Sequence, residues 1–226
     1  MKKLLIFIVI AMSLINISGA SQVEGQAAIY KGWNLVYGFI DPRQLAGGLE
    51  SEHIKAVYAY LPQKQQYVRT YPNPESDKIN GIVGDDYFEK IALWVYSDVT
   101  SDNSLNGMPH AVEYLVEEPL PLNERELSRG WNLVGVTFDM YKGTYNPGYG
   151  NEGEYFSWDA IKGSCNFEII YAWGASNQNW FNVSPSMQFK SYDFDDFLFN
   201  GMAVKVSNNC RLGFSEERIS PPPLPD

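Results

Sequence analysis

Histidine is the side chain best suited to proton transfer near neutral pH. The sequence holds two, His53 and His110, each beside a stretch read as loop. No Gly-x-Ser-x-Gly elbow offers a serine that either could activate, so both are read as solvated loop residues. A zinc site needs three or four nitrogen or sulfur ligands. Two histidines and two cysteines, Cys165 and Cys210, do not supply them at metal-ligand spacing without carboxylates. That leaves the carboxylates, with Asp85, Asp86, Asp193, Asp195 and Asp196 as candidates. A glycosidase needs two carboxyl groups at a set separation across a cleft. Asp85-Asp86 and Asp195-Asp196, however, recur at matching places of an internal repeat and read as turn or helix-start devices. Asp193-x-Asp195-Asp196 lacks the glycine and distal glutamate of a twelve-residue calcium loop. No pair stands out. The prediction is a protein that is not an enzyme, with a carboxylate-dependent hydrolase as the catalytic alternative, and with no cofactor or metal.

Recognition is the other chemistry in view. Tyr141, Tyr145, Tyr149, Tyr155, Phe156 and Trp158 are interleaved with Gly143, Gly148, Gly150 and Gly153 in the segment 139–163. Aromatic rings on a Gly-rich loop present flat apolar faces, which suits sugar rings. Asn146, Asn151, Glu152 and Glu154 stand ready for hydroxyl groups. The competing reading is a lid whose rings fold back over the β core.

The elements that would carry such a loop are repeated. Gly32-Trp33-Asn34-Leu35-Val36 recurs as Gly130-Trp131-Asn132-Leu133-Val134, at an offset of 98 residues. Val57-Tyr58-Ala59-Tyr60 matches Ile170-Tyr171-Ala172-Trp173 at 113, as do Tyr67-Val68 with Trp180-Phe181 and Pro72 with Pro185. Asp85 to Phe88 matches Asp195 to Leu198 at 110, and that offset extends to Tyr96-Ser97 against Val206-Ser207. Leu115 to Glu118 matches Phe214 to Glu217 at 99. Blocks in constant order with shifting offsets are the pattern of a duplicated unit with loop insertions. The first shift adds 15 residues between Phe138 and Cys165, the segment that holds the aromatic loop.

Most blocks are short, aromatic and β-branched, and end at Pro or Gly, which predicts strands. Candidate strands are 33–39, 54–61, 66–71, 91–96 and 112–116, then 131–138, 167–173, 179–183, 202–206 and a weak 211–214. Only 42–50, 85–90 and 192–199 offer a helical turn or two, and no segment keeps a helical period. The fold class is therefore all-β: two duplicated units of about five strands each, small sandwiches or barrels, with little helix. Trp33 and Trp131, with Tyr58 and Tyr171, are predicted to play the same core role in each unit.

The Gly-Trp-Asn-Leu-Val strand, the later aromatic strand and the Asp-Asp-aromatic turn resemble the Gly-Trp-Asn-Leu β-repeats of exported archaeal and bacterial surface proteins. The polar stretch Glu124 to Arg129 before the second motif fits that group, while Met202 to Val206 lacks the tryptophan that Trp94 supplies in the first copy. The resemblance implies an adhesive or surface-architecture role. It supplies no catalytic residue.

The N-terminus reads as an export signal. Met1-Lys2-Lys3 is followed by an uncharged run from Leu4 to Ile15, and Ser18-Gly19-Ala20 suits cleavage after Ala20. The alternative is an uncleaved anchor, although the run is short for a spanning helix. The predicted domains are a signal peptide 1–20, a first β unit 21–119, a second β unit 120–219 and a Pro-rich tail 220–226. Loss of Lys2 and Lys3 with the signal takes the formal charge from −10 to −12. With no basic patch, nucleic acid and anionic membranes are excluded as partners. In an exported chain an even cysteine count suggests one disulfide, Cys165–Cys210, against the alternative of two buried thiols. Asn182-Val183-Ser184 is a weak glycosylation acceptor. The function read from these features is an exported, non-enzymatic cell-surface or secreted protein with a structural or adhesive role. The alternative is a glycan-binding module using the loop 139–163. The partner is a cell-surface protein or a glycan, otherwise unknown.

Overall fold

Strands form where the sequence alternates aromatic or branched residues and stops at Gly, Pro or Asn. The computed structural model describes residues 22–37, 53–79, 91–99, 110–117, 120–141, 155–190 and 200–214. In the first half β1 is Gln22–Ile29, β2 Gly32–Tyr37, β3 Ile54–Leu61, β4 Gln66–Tyr71, β5 Ala92–Ser97 and β6 His110–Glu117. A single helical turn, α1, spans Ser76–Ile79. In the second half β7 is Glu126–Leu127, β8 Gly130–Gly135, β9 Tyr155–Phe156, β10 Phe167–Gly174, β11 Asn179–Asn182, β12 Phe189–Lys190, β13 Gly201–Val206 and β14 Cys210–Arg211. The protein is all-β, with antiparallel sheets and, among the described residues, no closed barrel.

The two main sheets share one strand order. The first runs β2-β5-β3-β4 and the second β8-β13-β10-β11. Their registers match as well. Trp33 lies opposite Tyr96 and Leu35 opposite Trp94, while Trp131 lies opposite Lys205 and Leu133 opposite Ala203. Both sheets shift register at the same place, between Ile54 and Ala56 and between Phe167 and Ile169. This register corrects the sequence alignment by one residue. Tyr96 corresponds to Lys205, not Val206, and Trp94 to Ala203. A one-residue slip turns every side chain to the other face, and pairing with the Gly-Trp strand decides it.

Each main sheet has four strands. The expected fifth strand of the first unit, β6, pairs with β1 in a separate ribbon. Cys210–Arg211 likewise pairs with β7 instead of joining the second sheet. The segments 42–50, 85–90 and 192–199, where short helices were expected, lie outside the described residues, as do the signal segment and the tail.

The Gly-Trp-Asn motif has a local explanation. The Tyr30 N–H donates to Asn34 Oδ1 at 2.9 Å, and Asn34 Nδ2 donates back to the Tyr30 carbonyl at 2.9 Å and to the Gly32 carbonyl at 3.2 Å. Asn132 does the same for Ser128 and Gly130, at 2.9, 2.8 and 3.1 Å. Both asparagines are buried, so each closes a tight turn into its strand with every amide atom engaged. Gly32 and Gly130 have φ of +98° and +94°, a region that side chains with a Cβ disfavour.

The sheets pack face to face through reciprocal contacts. Gln178, in the β10–β11 turn, accepts the Trp33 N–H at 2.7 Å and donates to the Trp33 carbonyl at 2.9 Å. Its equivalent Gln65, in the β3–β4 turn, accepts the Trp131 N–H at 3.0 Å and donates to the Trp131 carbonyl at 3.2 Å. Val36 bridges Asn200 while its equivalent Val134 bridges Ile91. Contacts in which i meets j′ and j meets i′ relate the sheets by a pseudo-twofold axis. Near such an axis a residue meets its own equivalent, so two large side chains cannot coexist there. Accordingly Tyr37 is matched by Gly135, whose Cβ would stand 1.9 Å from the Tyr37 ring.

Three apolar clusters result. Leu35, Tyr60, Ala92, Leu133 and Ala203 lie between the sheets. Val57, Leu61, Val68, Leu93 and Val95 lie on the far face of the first sheet. Ile170, Met202 and Val204, on the far face of the second, are covered by Tyr141, Phe156, Trp158, Ile161 and Phe189. The disulfide Cys165–Cys210, with a Cα–Cα separation of 4.9 Å, closes the edge of this last cluster. It links the residue just before β10 to one just after β13, which are antiparallel neighbours.

Candidate functional site

Period-two alternation in the main strands puts aromatic rings on the face each sheet turns toward the other. On the first sheet these are Trp33, Tyr58, Tyr60, Tyr67, Trp94 and Tyr96. On the second they are Trp131, Tyr171, Trp173 and Trp180. Small residues such as Ala92 and Ala203 let the sheets meet along the central strands, and the rings fill and line the space where the sheets diverge.

Two clefts open there. One, of about 450 Å³, is lined by Trp33, Tyr58, Tyr67, Trp94, Trp173 and Trp180. The other, of about 590 Å³, is lined by Tyr60, Gln65, Tyr67, Trp131, Leu133, Tyr171, Trp180 and Ala203. The pseudo-twofold axis maps the first onto the second: Trp33 onto Trp131, Tyr58 onto Tyr171, Trp173 onto Tyr60, Trp94 onto Ala203. Tyr67 and Trp180 exchange places and line both clefts. With alanine in place of Trp94, the second cleft is the roomier one.

The rings brace one another. Trp33 lies 5.0 Å from Tyr96, 5.9 Å from Tyr58 and 6.1 Å from Trp94 between centroids. Trp94, Trp173 and Trp180 form an edge-to-face triangle at 5.1, 5.5 and 5.1 Å. Trp131 stacks on Tyr171 at 6.1 Å. Such geometries are the favoured ones for aromatic quadrupoles. Trp173 Nε1 donates to the Trp33 carbonyl at 2.8 Å, which ties the rim of the first cleft to both sheets. Trp33, Tyr67 and Trp180 remain exposed at 36, 51 and 37 %, so ring faces are open to a ligand. Among the described residues no charged side chain lines either cleft. Burial, with a smaller push from neighbouring Tyr67, raises the Tyr60 hydroxyl above its ordinary value and keeps it a neutral hydrogen-bonding group.

The predicted residues fall elsewhere or play other parts. Trp33, Trp131, Tyr58 and Tyr171 are pairwise equivalent and line the clefts; Trp131 and Tyr171 pack half-buried against the inter-sheet cluster, Tyr58 is half-buried and Trp33 exposed. Their strands place them on the inter-sheet face, where the gap widens. From the aromatic loop, Tyr141 is buried and Trp158 wholly so, packed with Phe156 against the second sheet. These two rings cover the core, which removes them as open platforms. Tyr155 enters β9, and Tyr145 and Tyr149 lie outside the described residues. Asp85, Asp86, Asp193, Asp195 and Asp196 also lie outside them.

His53 belongs to a surface ion cluster. Its Nδ1 is 3.2 Å from Asp98 Oδ1, and Lys55 Nζ is 3.1 Å from Asp98 Oδ2. Desolvation pushes the Asp98 carboxyl up, but Lys55 and His53 outweigh it and hold the group below the usual carboxylate range. His110 opens β6. Asn182 ends β11 exposed to solvent. A further cavity, of about 650 Å³, lies beside Arg125. Buried Arg125 is engaged by the Leu120 carbonyl, Thr137 and Asp139, each at 2.6 Å, so it serves the structure. Among the described residues no group of three or more His, Cys, Asp or Glu is placed to hold a metal, and no helix is long and apolar enough to cross a membrane.

The cleft residues that the sequence reading passed over are Tyr60, Tyr67, Trp94, Trp173 and Trp180. Their signal was the i, i+2 spacing of Tyr58 with Tyr60, Trp94 with Tyr96 and Tyr171 with Trp173, which puts paired rings on one face of a strand. No protein-family model, no curated protein and no solved structure matches this chain.

Proposed function

We propose that this chain is an exported, non-enzymatic binding module of adhesive type, which holds a neutral glycan on the aromatic clefts between its two sheets. One observation carries the reading: nine aromatic side chains line two open clefts between the sheets, with no charged side chain among the described residues that line them. Pyranose rings offer apolar C–H faces that pack on indole and phenol rings, while their hydroxyls stay at the hydrated rim. An acidic chain with an uncharged site disfavours polyanions and suits neutral sugars. The export signal, the disulfide and the likeness to surface β-repeats support an extracellular setting.

The test is a panel of immobilised neutral polysaccharides, read by retention and by tryptophan fluorescence of the soluble protein. Retention that weakens in Trp33→Ala and Trp180→Ala, with folding checked by circular dichroism, supports the proposal. Absence of binding across the panel by folded protein refutes it. Release of reducing ends from any member would make the chain a hydrolase instead.

A further inference from the structure

Resting on that reading, we infer that the two clefts are one composite site, which holds a single linear chain of neutral sugars across the pseudo-twofold axis. The first ground is continuity. Tyr67 on β4 and Trp180 on β11 belong to opposite sheets, yet each lines both clefts. A ligand that leaves one cleft over these rings is already in the other.

The second ground is where the two halves differ. The features that build the fold are the same in both. Gly32 and Gly130, Asn34 and Asn132, and Gln65 and Gln178 keep their identity and their contacts. At the clefts Trp33 and Trp131, and Tyr58 and Tyr171, also keep their identity, but the neighbouring positions do not. Trp94 is answered by Ala203, Tyr60 by Trp173, Tyr67 by Trp180 and Tyr96 by Lys205. Two independent copies of one site would keep like rings at like positions. A polysaccharide has a direction, and a twofold axis across it presents the second cleft to the chain reversed. One directed chain therefore needs different rings in each cleft.

The ends of the track differ too. Beside Trp33 stands the Tyr96 ring, at 5.0 Å. Beside Trp131 stands Lys205, held by Glu168 at 2.7 Å. Trp33 thus borders an aromatic ring and Trp131 an ion pair, an asymmetry that would favour one direction for the bound chain.

Isothermal titration of the full chain with neutral β-linked cello- and chito-oligosaccharides, disaccharide through hexasaccharide, tests the inference. The expected result is one chain bound per protein, with affinity rising on the order of ten-fold or more as length grows to span both clefts. Trp33→Ala and Trp131→Ala should each weaken the hexasaccharide by about ten-fold, because each removes a ring from the same bound chain. Ala203→Trp refills the second cleft without truncating any side chain. It should weaken the hexasaccharide more than the disaccharide, with folding checked by circular dichroism. Two chains per protein, with affinity independent of length, would overturn the composite site and leave the glycan reading standing. Under that result Trp33→Ala would abolish one of two sites and leave the other intact. Failure of every oligosaccharide to bind folded protein would overturn both, as would binding of the Pro-rich peptide 220–226 in their place.

Discussion

The reciprocal glutamine clamp makes a quantitative claim about coupling across the two halves. Replacing Gly32 by Ala places a Cβ 2.5 Å from Gln178 Oε1 and 2.7 Å from its Cδ, at a φ of +98°. The backbone strain is roughly 1–2 kcal/mol. The side chain must also leave, and its two bonds to Trp33, at 2.7 and 2.9 Å, go with it. At about 0.5–1 kcal/mol for each of two partly solvated bonds, that adds about 1–2 kcal/mol. Gly32→Ala should therefore cost about 2–4 kcal/mol, and Gln178→Ala about 1–2 kcal/mol.

The double variant should cost no more than Gly32→Ala alone. The clamp can be lost only once, and removal of the amide makes room for the new methyl. The coupling energy is then about 1–2 kcal/mol, readable by urea denaturation of the oxidised protein. Gly32→Ala combined with Gln65→Ala is the control. Gln65 serves Gly130 and Trp131 instead, so those two changes should add. Additivity in the Gly32–Gln178 pair, or equal coupling in the control pair, would refute the clamp.

Gly135→Ala drives a methyl into the Tyr37 ring at 1.9 Å and should cost about 1–3 kcal/mol by thermal or urea unfolding, and combined with Tyr37→Ala the two losses should fall short of their sum. Cys165→Ser with Cys210→Ser opens a loop of 45 residues and should lower stability by about 4 kcal/mol in denaturant, the same amount as reduction of the native protein. Asn132→Ala leaves the Ser128 N–H and two carbonyls without their partner and should cost about 2–3 kcal/mol, again by urea denaturation. Glu75 is held below the usual carboxylate range by hydrogen bonds from Lys78 and then from the Arg69 N–H, and Asp98 by Lys55 and His53 against its desolvation. Folded values below the unfolded ones mean stabilisation that is present above the usual carboxylate range and lost as pH falls through the lowered values. Glu75→Gln and Asp98→Asn should each flatten the acid limb of the stability–pH curve.

The parts legible in the sequence are those whose causes are local. Gly32-Trp33-Asn34 can be read as a motif because the positive φ and the Asn34 bonds to Tyr30 and Gly32 act within four residues. The strands around Leu35, Val57 and Val204 are legible for the same reason, since alternation is a local property. The disulfide followed from the ends of two neighbouring antiparallel strands. The strand count per sheet was not legible, because β6 and β14 find partners, β1 and β7, that carry no pairing signal in their own residues.

The clefts lay beyond local reading for a related reason. Trp94 and Trp180 are separated along the chain by the whole of the β5–β11 segment, yet their rings meet at 5.5 Å, and only the packing of one sheet on the other brings them together. The same packing explains why Tyr141 and Trp158 follow the lid reading and not the binding one. A four-stranded sheet has two faces. When the second sheet turns one face to its twin, Ile170, Met202 and Val204 on the other face still need cover. The extra residues between Phe138 and Cys165 bring Phe156, Trp158 and Ile161 onto that face. Rings in an insertion are thus required to close a core, while rings on the repeated strands stay half-exposed where two curved sheets part. Under the proposed function, recognition is to be sought where the two matching sheets bring their aromatics together, and the difference between Trp94 and Ala203 is the first place to look for what the two clefts distinguish.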